Sequence, residues 1–553
     1  MIMIKKSLSI FLALSALQLS AHAQKANSSA STSTSLDRPK LVVGMVVDQM
    51  RWDFLYRYYD RYSEGGFKRM LREGFTAENT HIPYAQTVTA AGHACVYTGS
   101  VPALNGIMGN EWYDRKKKKE VYCVEDPTVE IVGGSPKSGP MSPRNLWATT
   151  ITDELRVATN FRSKVIGVAL KDRGSILPAG HAANAAYWYS SVDGNWITST
   201  YYMKELPEWV KRFNNRKIQD SLYALGWNTL HPIDTYKQSD PDNSVYEGKF
   251  GHEAAPVFPH ELSSRIGKDY STISSTPYGN TMTLEMAKTA LIHEELGKDA
   301  ITDFLAVSLS SPDYLGHLMG PNSIEIEDMY LRLDKEFEAF FNFLDKHVGK
   351  GQYLFFLTAD HGVAHVPGFM QANKLPAGTQ TGYNVNDLNK TLEQKFGIAR
   401  GIVRSANYQM YLNRESYDSA GIDLQQVKSF LIQQLLKADA VAYAFDCAQI
   451  AHANLPTEVK EMYYKGYNTH LGGDVQVMLK PGYFGGGKTG TTHGNWHPYD
   501  SHIPLVFMGW KVKAGKSTNR NTYMTDIAPT IAAMLRVQMP NAAIGHVIEE
   551  VFK

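Results

Sequence analysis

Asp48, Asp313, His317, Asp360 and His361 carry oxygen or nitrogen donors, and each follows closely on an apolar run. Asp48 ends LVVGMVV, Asp313 and His317 lie in SPDYLGH after FLAVSLS, and Asp360 and His361 follow YLFFLTA. The i, i+4 spacing of Asp313 and His317 puts both on one face of a helical turn. Adjacent Asp360 and His361 suit a loop. Five such donors suffice for two divalent cations. Carboxylate and imidazole without thiolate favour Zn²⁺, with Mn²⁺ or Fe as weaker options. A sixth donor is expected in GTTHGNWHPYDSHIP, where His493, His497 and His502 compete. His493, in a glycine-rich segment between two strand-like runs, is favoured over His502, which directly precedes a strand.

Two cations share this placement. Lys171 and Arg173 follow VIGVAL in LKDRG. Upstream, YAQTVTAAGHACVYTG holds Thr87 and Thr89 just before a helical pattern, with no serine–histidine pairing or cysteine motif nearby. A threonine hydroxyl is a poor nucleophile unless a base or a metal ion lowers its pKa. GYFGGGKT (residues 482–489) matches a phosphate-binding P-loop only formally: such a loop must feed a helix, and GTTHGNWHPYD will not form one. His93 and His181 have no obvious partner in the sequence and are read as structural, and Cys95 as core.

Positioning these groups requires strands that end at one place. SKVIGVAL and IPLVFMG join the runs above as strands buried on both faces. Between them lie the helical patterns NTMTLEMAKTALIHEELG and SIEIEDMYLRLDKEFEAFFNFLDKHVG, with a final helix in MTDIAPTIAAMLRV capped by Thr525 or Asp526. Buried strands alternating with helices predict an α/β fold with a doubly wound, mostly parallel sheet, whose ligands gather at the strands' C-terminal edge. Two stretches break the rhythm and are read as insertions crowning that edge, around residues 185–275 and 375–475. The first holds a hairpin around Asp193-Gly194, the second the helix DLQQVKSFLIQQLLK.

The N-terminus reads as a cleaved signal peptide over residues 1–23: Lys5 and Lys6, an apolar SLSIFLALSALQL and the A-x-A signature AHA. A Ser/Thr-rich linker (24–38) precedes the catalytic domain at 39–553. Periplasmic location without a stable membrane anchor is expected. With 56 Lys+Arg against 55 Asp+Glu, nothing favours a nucleic-acid partner. The one basic cluster, Arg115–Lys119, sits between strand-like pieces and reads as a solvated hairpin turn. Cys95, Cys123 and Cys447 allow at most one disulfide and show no C-x-x-C spacing.

Taken together, TVTAAGHACVYTG, NGIMGNEWYD, LKDRGSILPAGH, SPDYLGH, TADHG and THG…YDSHIPL resemble the alkaline phosphatase superfamily. Within it the likeness is strongest to the exported, phosphate-irrepressible (PafA-type) alkaline phosphatases and more distant to the nucleotide pyrophosphatase/phosphodiesterases. It covers nearly all of the chain after the linker. The resemblance implies two zinc ions, one held by Asp313, His317 and His493, the other by Asp48, Asp360, His361 and Thr89. Thr89 is then the nucleophile that forms a phosphothreonine, and Thr87 is its unused neighbour. The resemblance also implies that Asn110, Lys171 and Arg173 contact the phosphoryl oxygens, with the Lys–Arg pair replacing a third metal. Two fixed cations suit a monoester dianion better than a diester. A sulfatase would need a C/S-x-P-x-R motif, which TVTAAGH lacks. The expectation is a monomeric phosphomonoesterase acting on small-molecule phosphate monoesters. The alternatives are a phosphodiesterase or phosphonate hydrolase on the same scaffold, or a non-enzymatic metal-binding, phosphate-scavenging protein.

Overall fold

Uninterrupted aliphatic runs become strands with no exposed face, because neither side of such a run can be left in water. β1 (Leu41–Val47) is buried at every position. The computed structural model describes residues 36–379 and 381–553; the expected signal peptide and residues 24–35 of the linker lie outside the described residues. The other strands of the main sheet are β2 (Gly74–Ala77), β3 (Ile131–Val132), β4 (Val165–Ala169), β5 (Ala185–Ser190), β6 (Asn195–Ser199), β7 (Asp303–Leu309), β8 (Tyr353–Thr358), β9 (Leu505–Gly509) and β10 (Lys516–Thr518). Their order is β10-β2-β9-β8-β1-β7-β4-β5-β6-β3.

The five central strands, β8-β1-β7-β4-β5, are all parallel. Antiparallel pairing begins outside them, at β9 and β6. Helices α1 (Thr89–Thr98), α2 (Asp172–Ala179), α3 (Pro277–His293), α4 (Ser311–Met319), α5 (Ile324–Leu344) and α6 (Ile527–Leu535) accompany this sheet. Pro277 opens α3, where a missing N–H costs nothing. Ser323 caps α5 by accepting from Ile326 N (3.2 Å). Asp526 does not cap α6 as expected. Its carboxylate accepts from the N–H groups of Tyr523 and His546, because a 3₁₀ turn already occupies Met524–Asp526.

The stretch around 185–275 begins inside the main sheet, since β5 and β6 are the hairpin expected around Asp193-Gly194. Beyond it come short helices at Glu208–Asn215 and Ile218–Tyr223. The 375–475 stretch lies in a region with its own antiparallel sheet, in the order Ile402–Ala406, Gln409–Leu412, Val475–Leu479 and Val441–Asp446. Leu392, Met410, Tyr417, Leu431 and Val477 form its separate core. The basic cluster does turn a hairpin between Glu111–Asp114 and Lys119–Tyr122. Lys116–Lys119 are exposed, but Arg115 is not merely solvated: it donates to Gly472 O (2.6 Å) and Asp474 Oδ2 (2.9 Å). That contact docks the hairpin on the smaller sheet. The three cysteines are buried and free. No helix among the described residues is long and apolar enough to cross a membrane.

Candidate metal and phosphoryl site

Parallel strands all point their C-terminal ends the same way, so groups leaving β1, β4, β7 and β8 converge. Asp48 leaves β1, Lys171 and Arg173 leave β4, Asp313 and His317 sit on α4 after β7, and Asp360 and His361 follow β8. Asp48, Lys171, Asp313, Asp360 and His361 are all at most 4% exposed. His493 reaches the same place from the segment before β9. His317 Nε2 lies 3.2 Å and His493 Nε2 3.4 Å from Asp313 Oδ1. His361 Nε2 lies 3.5 Å from Asp48 Oδ1, from Asp360 Oδ2 and from Thr89 Oγ1. The rings of His361 and His493 stack at 3.5 Å, joining the two groups of donors. Asp313 faces both: it groups with His317 and His493 and also with Asp48 and His361, ligand atoms within 4.8 Å of one another.

Each histidine is oriented by main chain. Nδ1 of His317, His361 and His493 meets the carbonyls of Thr491 (2.9 Å), Gly362 (3.0 Å) and Thr87 (2.7 Å). In the neutral ring, a protonated Nδ1 leaves the Nε2 lone pair facing the carboxylates, the form a metal ligand needs. His497 and His502 join neither donor group: His502 Nε2 contacts Glu78 O, and His497 packs between Trp496 and Tyr499. Residues 482–489 feed no helix before Pro498–Ser501, which removes the P-loop match.

Thr89 is the first residue of α1, where backbone N–H groups lack intrahelical partners and favour an anion. One of them, Ala90 N, donates to Asn110 Oδ1 (3.0 Å), which leaves the Asn110 amide N–H₂ as its remaining donor. Gly92 lets α1 come this close, since a Cβ there would stand 2.4 Å from Asp360 O. Lys171 lies deeper than a simple phosphoryl contact requires. Its Nζ bonds Asp48 Oδ2 (2.7 Å) and Asp313 Oδ2 (2.5 Å) and reaches Thr89 Oγ1 (3.4 Å). Arg173 is held by Tyr122 OH (2.9 Å), which donates in turn to Asp172 (2.6 Å). Beside both cations opens a cavity of about 280 Å³, lined among others by Tyr122, Trp188, Tyr189 and Tyr314.

Charge follows from this packing. Burial, then the neighbouring Asp360 carboxylate, pushes Asp48 well above the usual carboxylate range. Burial acts the same way on Asp313, yet His317 and Lys171 override it and hold that carboxyl well below the range. Burial pushes His361 down to about 3 and also lowers His493. Burial thus favours the neutral imidazole at both, the form metal ligation requires, whereas Asp313 lifts His317 against its own burial.

Sequence reading missed three contributors. Gln49 donates its main-chain N–H to Asp360 Oδ1 (3.1 Å) and its side-chain amide to Asp313 Oδ1 (2.6 Å). His93 is not partnerless: it bridges Thr89 O (2.8 Å), Ser308 Oγ (2.8 Å) and Asp360 Oδ2 (3.3 Å). Tyr122 orients Arg173. Only the i, i+4 spacing of Thr89 and His93 was visible beforehand. His181 also has partners, Asp153 (3.2 Å) and Leu146 O (3.0 Å), away from the site.

The donor set fits divalent metal. Ligands about 2.0–2.1 Å from one tetrahedral ion stand about 3.3 Å apart, close to the 3.2, 3.4 and 3.5 Å separations here. Asp48 Oδ1 is buried with no hydrogen-bond partner, and a cation would satisfy it.

The chain matches known proteins over most of its length. The family model for type I phosphodiesterase/nucleotide pyrophosphatase matches residues 42–500. The chain is 51% identical to alkaline phosphatase PhoV of Synechococcus elongatus, over 97% of each chain. It is 51% identical to alkaline phosphatase PafA of Elizabethkingia meningoseptica, over 94% of this chain and 96% of that one. It is also 53% identical, over 94% of this chain and 95% of the other, to a Myroides odoratus protein named a calcium-transporting ATPase. A crystal structure of wild-type PafA superimposes with a TM-score of 0.92 at 50% identity, covering 94% of this chain and all of that one.

Proposed function

The chain belongs to the type I phosphodiesterase/nucleotide pyrophosphatase family and is an alkaline phosphatase; we propose that it is an exported, two-zinc phosphomonoesterase working through a phosphothreonine at Thr89. Asp313, His317 and His493 would hold one ion, and Asp48, Asp360, His361 and Thr89 the other. Zinc bound there supplies Lewis acidity, which makes a threonine hydroxyl nucleophilic near neutrality and stabilises charge on the reacting oxygens.

The chain's own residues do the rest. Thr89 Oγ forms a bond to phosphorus as the ester P–O bond breaks, and water later cleaves the phosphothreonine to free phosphate. Asn110 is oriented by Ala90 N to donate to a non-bridging oxygen. Arg173, fixed by Tyr122, offers a second donor. Lys171 Nζ stands 3.4 Å from the nucleophile's oxygen, beside the non-bridging oxygens that would carry a monoester's charge. A buried cation between the nucleophile and both carboxylate sets is the observation that carries the monoester reading. A dianion draws on such a charge, whereas a diester blocks one of the oxygens that would meet it. The cavity beside these cations leaves room for an organic group.

Further support comes from a variant of PafA, solved at 49% identity and TM-score 0.92, in which a Thr, an Asn, a Lys and an Arg are substituted together. Their sequence spacings, Thr to Asn and Lys to Arg, equal those of Thr89 to Asn110 and Lys171 to Arg173. The Myroides protein's name is not carried over.

The deciding experiment compares kcat/KM for an aryl phosphate monoester with that for the matching diester, on zinc-loaded protein at pH 8–9. A ratio well above about ten is expected. A ratio below one would keep Thr89 and the metals but make the protein a diesterase.

A further inference from the structure

Gln49 directly follows Asp48, is 2% exposed, and has φ +66°. That left-handed conformation is uncommon for a residue with a Cβ, and such strain persists only where the surroundings impose it. Its consequence is geometric. With β1 ending in this turn, the main-chain N–H of Gln49 meets Asp360 Oδ1 (3.1 Å) while its side chain returns to Asp313 Oδ1 (2.6 Å). The second oxygen is the one that His317 and His493 approach. One residue thereby grips a carboxylate from each donor group.

α4 accommodates the reach. Gly316 lies between Asp313 and His317, and a Cβ there would stand 1.9 Å from Gln49 Oε1. The helix carries a glycine, a weak helix-former, where the amide passes. A strained backbone, a spanning pair of hydrogen bonds and a cleared helix face all serve the same contact.

We propose that Gln49 is a positioning residue that couples the two metal sites, so that ordering one carboxylate set orders the other. This rests on the metal reading of the preceding subsection. Donors that orient ligating groups commonly change metal affinity by about 10–100-fold.

The test uses the full protein stripped with chelator, then titrated with zinc against a chromogenic competitor, with thermal melts of the metal-free form alongside. Gln49→Gly removes the amide and relieves the left-handed strain. It should melt no lower than the parent without metal, yet bind zinc about 10–100-fold more weakly, with the two equivalents filling in separate steps. Gly316→Ala displaces the amide while improving helix propensity, and should weaken zinc in the same way. Opposite signs for metal-free stability and metal affinity are what a plain packing role would not produce. If both variants fill two equivalents as tightly as the parent, the coupling is refuted. If affinity falls only in step with metal-free stability, Gln49 is ordinary core. A parent that binds no divalent cation overturns both this inference and the metal reading.

Discussion

Lys171→Met isolates the charge at the centre of the site. Methionine keeps the aliphatic stem and removes Nζ. In the parent, Nζ sits 2.7 Å from Asp48 and 2.5 Å from Asp313, with side chains 1%, 0% and 5% exposed. Removing one partner of a buried pair leaves the other charge uncompensated and costs about 3–5 kcal/mol. In chelator, the variant should therefore unfold at clearly lower denaturant concentration. Adding Asp313→Asn removes one stranded carboxylate, so the double variant should be more stable than the two single losses summed, by about 1–3 kcal/mol. Zinc replaces the missing positive charge and should stabilise the variant more than the parent. In turnover, kcat/KM for a monoester should fall by about 10²–10³, the scale for losing one preorganised electrostatic contact, and far less for a diester. A chelated variant within about 1 kcal/mol of the parent, or equal losses on both esters, would refute the reasoning.

Thr89→Ser keeps the hydroxyl and should retain turnover within about tenfold, whereas Thr89→Ala should lose at least about 10³-fold; near-normal turnover by the alanine variant would remove the nucleophile assignment. Stability should also fall on the alkaline side. Burial alone would lower His260, but Glu253 (3.0 Å) and Glu325 (3.3 Å) lift it from 6.5 to about 9. A raised histidine contributes fully below its unfolded pKa and loses that contribution as pH rises through the folded one. The unfolding free energy should thus drop between pH 6.5 and 9, by at most about 3 kcal/mol. His260→Gln should flatten this slope, and an unchanged slope would discount the pair of carboxylates.

Much of this architecture is legible in the chain because its central strands are fully buried. A run such as LVVGMVV or YLFFLTA has no alternative to a doubly covered strand, and the polar residue ending each run marks the sheet edge. Asp313 and His317 were visible as a pair through helical periodicity alone. Gln49 was not, because its importance depends on a left-handed φ and on partners 264 and 311 residues away. His93 was hidden similarly, its ring reaching Ser308 on β7 and Asp360 after β8. The aromatic stretch at 185–199 looked unlike the other strands, since β6 pairs antiparallel near the sheet's margin and its sequence carries a hairpin signal instead of a buried run. For Lys171, spacing indicated the correct edge of the sheet, but the depth that sets its Nζ between two carboxylates emerges only from packing.

The sheet order also sets when activity can arise during synthesis. β2 is made early, yet it meets the parallel core only through β9, which inserts between it and β8 near the end of the chain. His493 emerges only shortly before β9. A nascent chain lacking its last sixth has Asp48, Asp313, Asp360 and His361 but neither the third imidazole nor the strand that closes the sheet. Parallel pairing of distant segments is slow in any case, because loop closure precedes its reward. On the proposed metal reading, prematurely terminated copies would lack the full donor set, which finished chains alone carry. On the export proposed above, that ordering would leave metal selection to the destination compartment.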